Sequence, residues 1–356
     1  MKKLKRILSV FLIGVFCFTA TSCGNDFYYA DFSCFNTNVH IETYGKKLDQ
    51  NTLEEIKELC FYLDECFDFD GENSISTMLK NAEINQKIRI TPECFTLLKK
   101  SVDINEFSDG AFNPLITPLT ELWGFKNKTL PQNSIPHQSE IDKILNSGEI
   151  DISNLTLEDG EMAKKKDISL DLGGLVKGYA SQKVLAILKD NGFKKCYVNM
   201  GSSSLSLIGM QSLYVNNPIK ETQNILYVNI DSKKDNHVST SGDYENYFEI
   251  DGKRYSHLID PLTGYPSDTG VRSATVILSD GTFADGITTA LCLKDYHPEN
   301  PMESPLVLLM QKTLTLYPEA QIYVVYQKGD IKRLITNKEK DIDFTLMDDS
   351  FTIVNI

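Results

Sequence analysis

The feature that most constrains this chain is a hydrophobic periodicity that switches between 2 and 3.6 without settling into a strict βαβ repeat. Residues 39–44 alternate and read as a strand, whereas residues 51–67 place Leu53, Ile56, Leu59, Cys60, Leu63 and Phe67 on one face of a helix. A second helix is expected over 91–107, because Thr91 is a good N-cap and Pro92 loses nothing at the first helical position. Further helices are expected over 139–145, 177–190 and 282–293, the second of these stopped by Asn191-Gly192. Strands are expected at 168–170, 196–199, 204–208, 226–230, 246–250, 274–278 and 320–326, with 300–356 as a structural tail that carries strands. This order predicts an α+β fold in which a layered mixed sheet packs against helices. No internal repeat, low-complexity tract or strong linker divides the chain, so residues 32–356 read as one unit.

The first residues have a different logic. Lys2, Lys3, Lys5 and Arg6 precede an apolar run from 7 to 18, and small residues then lead to Cys23. This is the three-part layout of a secretory signal, and the run is shorter than the ~20 residues a spanning helix needs. The ending resembles a bacterial lipoprotein processing site. Cys23 is therefore the expected lipidation point, 1–23 the signal and 24–31 a tether. The expected location is extracytoplasmic, with the chain anchored to a membrane.

A net charge of −13 argues against nucleic acid or an anionic membrane surface as a partner. An anionic substrate would then need local help from a metal or from backbone N–H groups. Six cysteines follow Cys23, at 34, 60, 66, 94, 196 and 292, with no CxxC pair and no histidine at metal-ligand spacing. A zinc site is not expected. Disulfides fit an exported chain, but spacing does not choose a pairing.

Four segments place glycine, aspartate, histidine and threonine where an ordinary core would not. Residues 171–179, DLGGLVKGY, form a glycine-rich turn entering a helix, where N–H groups and Lys177 suit phosphate. Residues 239–244, STSGDY, read as a polar loop. In 255–266, YSHLIDPLTGYP, His257 stands three residues before Asp260-Pro261 and is a candidate proton acceptor. In 283–291, FADGITTAL, Asp285 and Thr289 lie one helical turn apart and offer the hard oxygen donors that suit Mg²⁺. Each segment alone has a plain structural reading as a turn, a cap or a solvated loop.

Taken together and in this order, these segments resemble the ApbE family, the FAD:protein FMN transferases. Residues 109–114, DGAFNP, and 122–125, LWGF, extend the likeness, which runs from about 32 to 294. One departure is Phe35-Asn36-Thr37, where the family usually shows Met-Gly-Thr.

The resemblance implies an ApbE-type, T-fold-like architecture and FAD as substrate. Flavin contacts would fall on Thr37, Asp171, Gly173, Gly174, Lys177, Thr240, Ser241 and Asp260. Mg²⁺ would be held by Asp285, Thr289 and the Gly174 carbonyl, with His257 as the catalytic base. FMN would pass to a threonine or serine of an acceptor protein, such as a subunit of an extracytoplasmic or membrane redox complex. Two other readings stay open at this point: an FAD pyrophosphatase using the same site, and a non-catalytic flavin-binding lipoprotein.

Overall fold

The computed structural model describes residues 26–126, 135–220 and 222–356. The expected signal and Cys23 lie outside the described residues. The strands are β1 (Phe27–Cys34), β2 (Thr37–Tyr44), β3 (Ile88–Arg89), β4 (Leu155–Glu158), β5 (Glu161–Lys164), β6 (Cys196–Met200), β7 (Ser204–Ile208), β8 (Ser212–Asn216) and β9 (Asn224–Asn229). They continue as β10 (Asn236–Gly242), β11 (Tyr247–Ile250), β12 (Lys253–Ser256), β13 (Val271–Leu278), β14 (Gln321–Lys328), β15 (Ile331–Thr336), β16 (Phe344–Leu346) and β17 (Thr352–Asn355). The helices are α1 (Gln50–Phe67), α2 (Ile75–Asn81), α3 (Pro92–Phe107), α4 (Thr117–Leu122), α5 (Gln138–Ser147), α6 (Val176–Asp190), α7 (Gly281–Cys292) and α8 (Pro305–Leu316).

A sheet in the order β1-β2-β6-β7-β10-β13-β14-β15-β17 forms the centre. Its neighbours pair antiparallel, except β15 with β17. Period-2 alternation sorts the side chains to its two faces. Val198, Met200, Ala274, Val276, Ile322 and Val324 join one core with residues of α1, α3, α6, α7 and α8. Tyr197, Leu205, Leu207, Val238, Ile277, Tyr323 and Val325 join a second core with the small sheet β16-β9-β8. The molecule is thus layered: helices, central sheet, small sheet.

The caps explain where the helices begin. Asp49 accepts the Thr52 N–H at 3.0 Å to start α1, and Thr91 caps α3 with Pro92 at its first position. Asp280 accepts from both Thr282 and Phe283 at 3.1 Å, so α7 opens at Gly281.

Four expectations are corrected. Residues 24–31 are not all tether, because β1 pairs with β2 from Phe27 to Cys34 as an edge strand of the central sheet. Residues 168–170 join no ladder; they run extended into the glycine turn. Residues 239–242 are the end of central strand β10, not a loop. The tail contributes more than strands, since α8 packs in the helical layer while β14, β15 and β17 complete the sheet. Among the described residues no helix is long and apolar enough to cross a membrane.

Candidate active site

The site begins with two glycines. A Cβ on Gly178 of α6 would stand 2.2 Å from the Gly281 carbonyl of α7, and one on Gly281 would stand 2.8 Å from the Gly178 carbonyl. Only glycine permits this approach. It brings the Gly178 N–H, one of the unpaired donors at the start of α6, to 2.9 Å from Asp285 Oδ2. The other oxygen, Oδ1, accepts from Ser239 at 2.6 Å and Ser204 at 3.1 Å. Both serines lie on the helix-facing side of the central sheet, on β10 and β7.

Asp285 is 5% exposed. Burial raises its pKa, and Lys177, Ser239, Gly178 and Ser204 act in the opposite sense. Among the described residues no cation lies within ion-pair distance of this carboxylate. Thr289 is partly exposed one turn further along α7, and its hydroxyl lies 3.3 Å from Ser241 Oγ. The Gly174 main chain comes beside it, since a Cβ there would meet Thr289 Oγ1 at 3.8 Å and Phe112 at 3.3 Å. A carboxylate, an alcohol and a nearby carbonyl make an all-oxygen donor set suited to Mg²⁺ and not to a soft metal. No cluster of three or more His, Cys, Asp or Glu that could hold a metal ion occurs among the described residues.

The histidine arrives on a separate support. After Gly242 the chain leaves the central sheet and folds into the β11–β12 hairpin. The exit is held by Arg272, 2.5 Å from Asp243, although burial outweighs that guanidinium and pushes the Asp243 carboxyl up to about 6. At the mouth of the hairpin the Asn246 carbonyl accepts from the His257 backbone at 2.9 Å and from its Nδ1 at 3.1 Å. A carbonyl can only accept, so Nδ1 carries the proton and Nε2 keeps its lone pair. The imidazole has an edge toward solvent, yet surrounding protein dominates its titration. Burial lowers its pKa to about 4, the Asn246 carbonyl opposes this, and Lys177 lowers it further. His257 is therefore neutral at pH 7.

Trp123 fixes that hairpin. Its indole N–H donates to the Gly264 carbonyl at 2.8 Å, and its ring packs against Phe248, Tyr255 and Tyr265. The LWGF segment thus anchors the segment that carries His257. The DGAFNP segment meets the glycine turn, where the Pro114 carbonyl accepts from the Asp171 N–H at 2.8 Å.

The structure gathers Lys177, Asp285 and His257 around one field, and adds Glu245. Lys177 is the leading charged influence on Glu245 and Asp285 and also acts on His257. Burial raises the pKa of Glu245, with Asp285 adding to the effect. Sequence reading missed Glu245, Ser204 and the role of Ser239. Period-2 alternation in β7 and β10 was the available signal for the two serines.

The other residues expected at the ligand have partners of their own. Thr240 is directed to the opposite side of the sheet from Ser239 and Ser241, and its hydroxyl meets Thr275 at 2.9 Å. Asp171 shapes the glycine turn, accepting from Gly173 N–H at 2.9 Å and pairing with Lys126 at 2.7 Å. Asp260 accepts from Leu262 N–H at 2.9 Å and so builds its own turn. Thr37 opens β2, and a Cβ on Gly201 would lie 2.6 Å from its hydroxyl. Phe35 and Asn36, between β1 and β2, have φ of 53° and 54°, in the left-handed region that favours glycine. The expected free N–H groups at the start of α6 are partly claimed, since Gly178 serves Asp285. A cleft of about 410 Å³ between α3 and α6, lined by Glu93, Lys100, Tyr179 and Lys183, shares no residue with this cluster.

A buried carboxylate held by two serines and a main-chain N–H, with Lys177 acting on it and on a neutral imidazole, marks the candidate site of a layered α+β protein. The model of the ApbE family matches residues 35–300. The FAD:protein FMN transferase of Vibrio cholerae serotype O1 is 28% identical over 261 residues, covering 69% of this chain and 76% of that protein. The enzyme of the same name from Klebsiella pneumoniae is 30% identical over 219 residues, 60% of this chain and 66% of that one. The crystal structure of the ApbE protein from Thermotoga maritima superposes with a TM-score of 0.71 at 28% identity, covering 85% of this chain and 94% of that chain. The chain belongs to the ApbE family.

Proposed function

We propose that this protein is an FAD:protein FMN transferase that uses Mg²⁺ and joins FMN to a threonine or serine hydroxyl of an acceptor protein. The observation that carries this reading is Asp285. It is a buried carboxylate with a raised pKa and no cation in contact among the described residues, one helical turn before Thr289, whose hydroxyl lies by the Gly174 main chain. Burying a charge without a partner is costly, so this arrangement suits a bound cation. Asp285, Thr289 and the Gly174 carbonyl would hold Mg²⁺, which when bound neutralises charge at a pyrophosphate.

The remaining chemistry belongs to the chain's own residues. Lys177 draws the anionic ligand toward the glycine turn. His257 presents Nε2 as the proton acceptor for the attacking hydroxyl. As that proton moves to Nε2, the acceptor oxygen bonds to the FMN-side phosphorus. The bond from that phosphorus to the bridging oxygen breaks, and AMP leaves. Lys177 and burial keep the imidazole neutral, and therefore able to accept, before the ligand's negative charge arrives. The signal-like first residues support an extracytoplasmic, Cys23-anchored enzyme serving a membrane or extracytoplasmic redox complex.

The test is to incubate the purified protein with FAD, MgCl₂ and a candidate acceptor, then look by mass spectrometry for an FMN adduct on the acceptor. An adduct that requires both FAD and Mg²⁺ supports the reading. Free FMN and AMP with unmodified acceptors would replace it with FAD pyrophosphatase activity.

A further inference from the structure

We propose that Cys66 and Cys94 form a reversible disulfide that ties the last turn of α1 to the first turn of α3. The two helices already meet there. Tyr62, one turn before Cys66, has its hydroxyl 2.8 Å from Oγ1 of Thr91, the residue that caps α3 three positions before Cys94. Residues four apart and three apart on a helix share a face, so this contact directs both cysteines to the same seam. The two thiols lie close enough for each to act on the other's titration. The Cys34 thiol instead donates to Asp64 at 3.6 Å, and that of Cys292 to the Ser241 carbonyl at 3.4 Å.

The pair is unequal in the way exchange chemistry needs. Cys66 is partly exposed, whereas Cys94 is 1% exposed. The neighbouring Cys94 is the largest influence lowering the Cys66 pKa, to about 7; burial opposes this, Tyr62 assists it, and Glu65 and Glu93 raise it. Cys66 in turn is the largest influence raising Cys94. Cys66 is thus the thiolate that attacks, and Cys94 the thiol that resolves.

The oxidant is an external disulfide, RSSR. Cys66 sulfur attacks one of its sulfurs, forming a mixed disulfide and releasing one thiolate. Cys94 sulfur then attacks Cys66 sulfur, forming the internal bond and releasing the second thiolate. The two protein protons end on two RSH, and the protein's two electrons reduce RSSR. An exported chain meets such oxidants. The link would close the segment that carries Phe69, whose ring lies 3.7 Å from the Lys126 ammonium that pairs with Asp171 at the glycine turn.

The purified full chain is oxidised with glutathione disulfide, blocked with N-ethylmaleimide and digested without reductant. A Cys66–Cys94 cross-linked peptide that dithiothreitol removes is expected. The oxidised protein is also expected to melt about 2–4 °C or more above the reduced one. Cys66→Ser and Cys94→Ser should each abolish that redox-dependent difference. Maleimide on both cysteines after oxidation would overturn the proposal. So would glutathione retained on Cys66 with maleimide on Cys94, because that pattern shows the second sulfur out of reach.

Discussion

The two halves of the candidate site are built by opposite means. The Asp285 half lies inside the molecule, where α6, α7, β7 and β10 converge and every contact to the carboxylate comes from a packed element. The His257 half lies on an excursion, a two-stranded hairpin held by one carbonyl and an aromatic cluster around Trp123. The first half holds its carboxylate by burial, and the second sets an imidazole nearer the edge. On the proposed reading, substrate charge falls to the core and the proton to the rim.

The largest expected effect breaks the core half. Asp285→Ala should lower FMN transfer by about 10³-fold or more, since charge stabilisation at the reacting phosphate is lost. Its Mg²⁺ response should vanish as well. Because the raised pKa means that ionised Asp285 costs stability at neutral pH, Mg²⁺ should raise the melting temperature of the wild type and not of this variant. Transfer assays and thermal unfolding with and without MgCl₂ check both outcomes.

Next comes the rim half. His257→Ala should lower transfer by about 10²–10⁴-fold, the usual contribution of a general base, while FAD binding measured by fluorescence persists. Loss of FAD binding with it would show that the two halves do not divide the work.

A pH experiment sharpens the same contrast. His237 is buried in the core, hydrogen-bonded to Ser206 at 2.7 Å, and its pKa is lowered to about 4 by burial, as is that of His257. Between pH 6.5 and about 4 the unfolded chain binds more protons at these two histidines than the folded one does, so their contribution to stability should fall as pH drops through this window, while the raised carboxyl of Asp243 acts in the opposite sense. For the 3%-exposed His237 the effect is roughly 3 kcal/mol; His237→Gln should flatten the profile more than His257→Gln does in denaturant melts.

The smallest effect tests the sidedness of β10. Thr240→Val should leave transfer within about 2-fold and stability within roughly 1 kcal/mol, because only the bond to Thr275 is lost. A large loss of transfer would return Thr240 to the flavin-facing side.

Much of the fold was legible because helix and strand periods are local. α1, α3, α6 and α7 appeared within a residue or two of their observed ends, as did strands β6 and β7. The edge strand β1 was missed because its alternating exposure carries little apolar pattern. β10 was missed at 239–242 because serines and a glycine imitate a loop, although here they face a buried carboxylate. Glu245 had no local signal; its significance comes from Lys177 and Asp285, far away in the chain.

By itself, the sequence determined the α+β character, the glycine turn, the one-turn spacing of Asp285 and Thr289, and a histidine beside an Asp-Pro turn. Those are properties of neighbouring residues, and the backbone's own geometry enforces them. Tertiary structure decided which oxygens surround Asp285, which way Thr240 faces, and that Trp123 secures the His257 segment. Those depend on helices and strands meeting across long stretches of chain, where glycine-on-glycine contact and burial, rather than local spacing, set the distances.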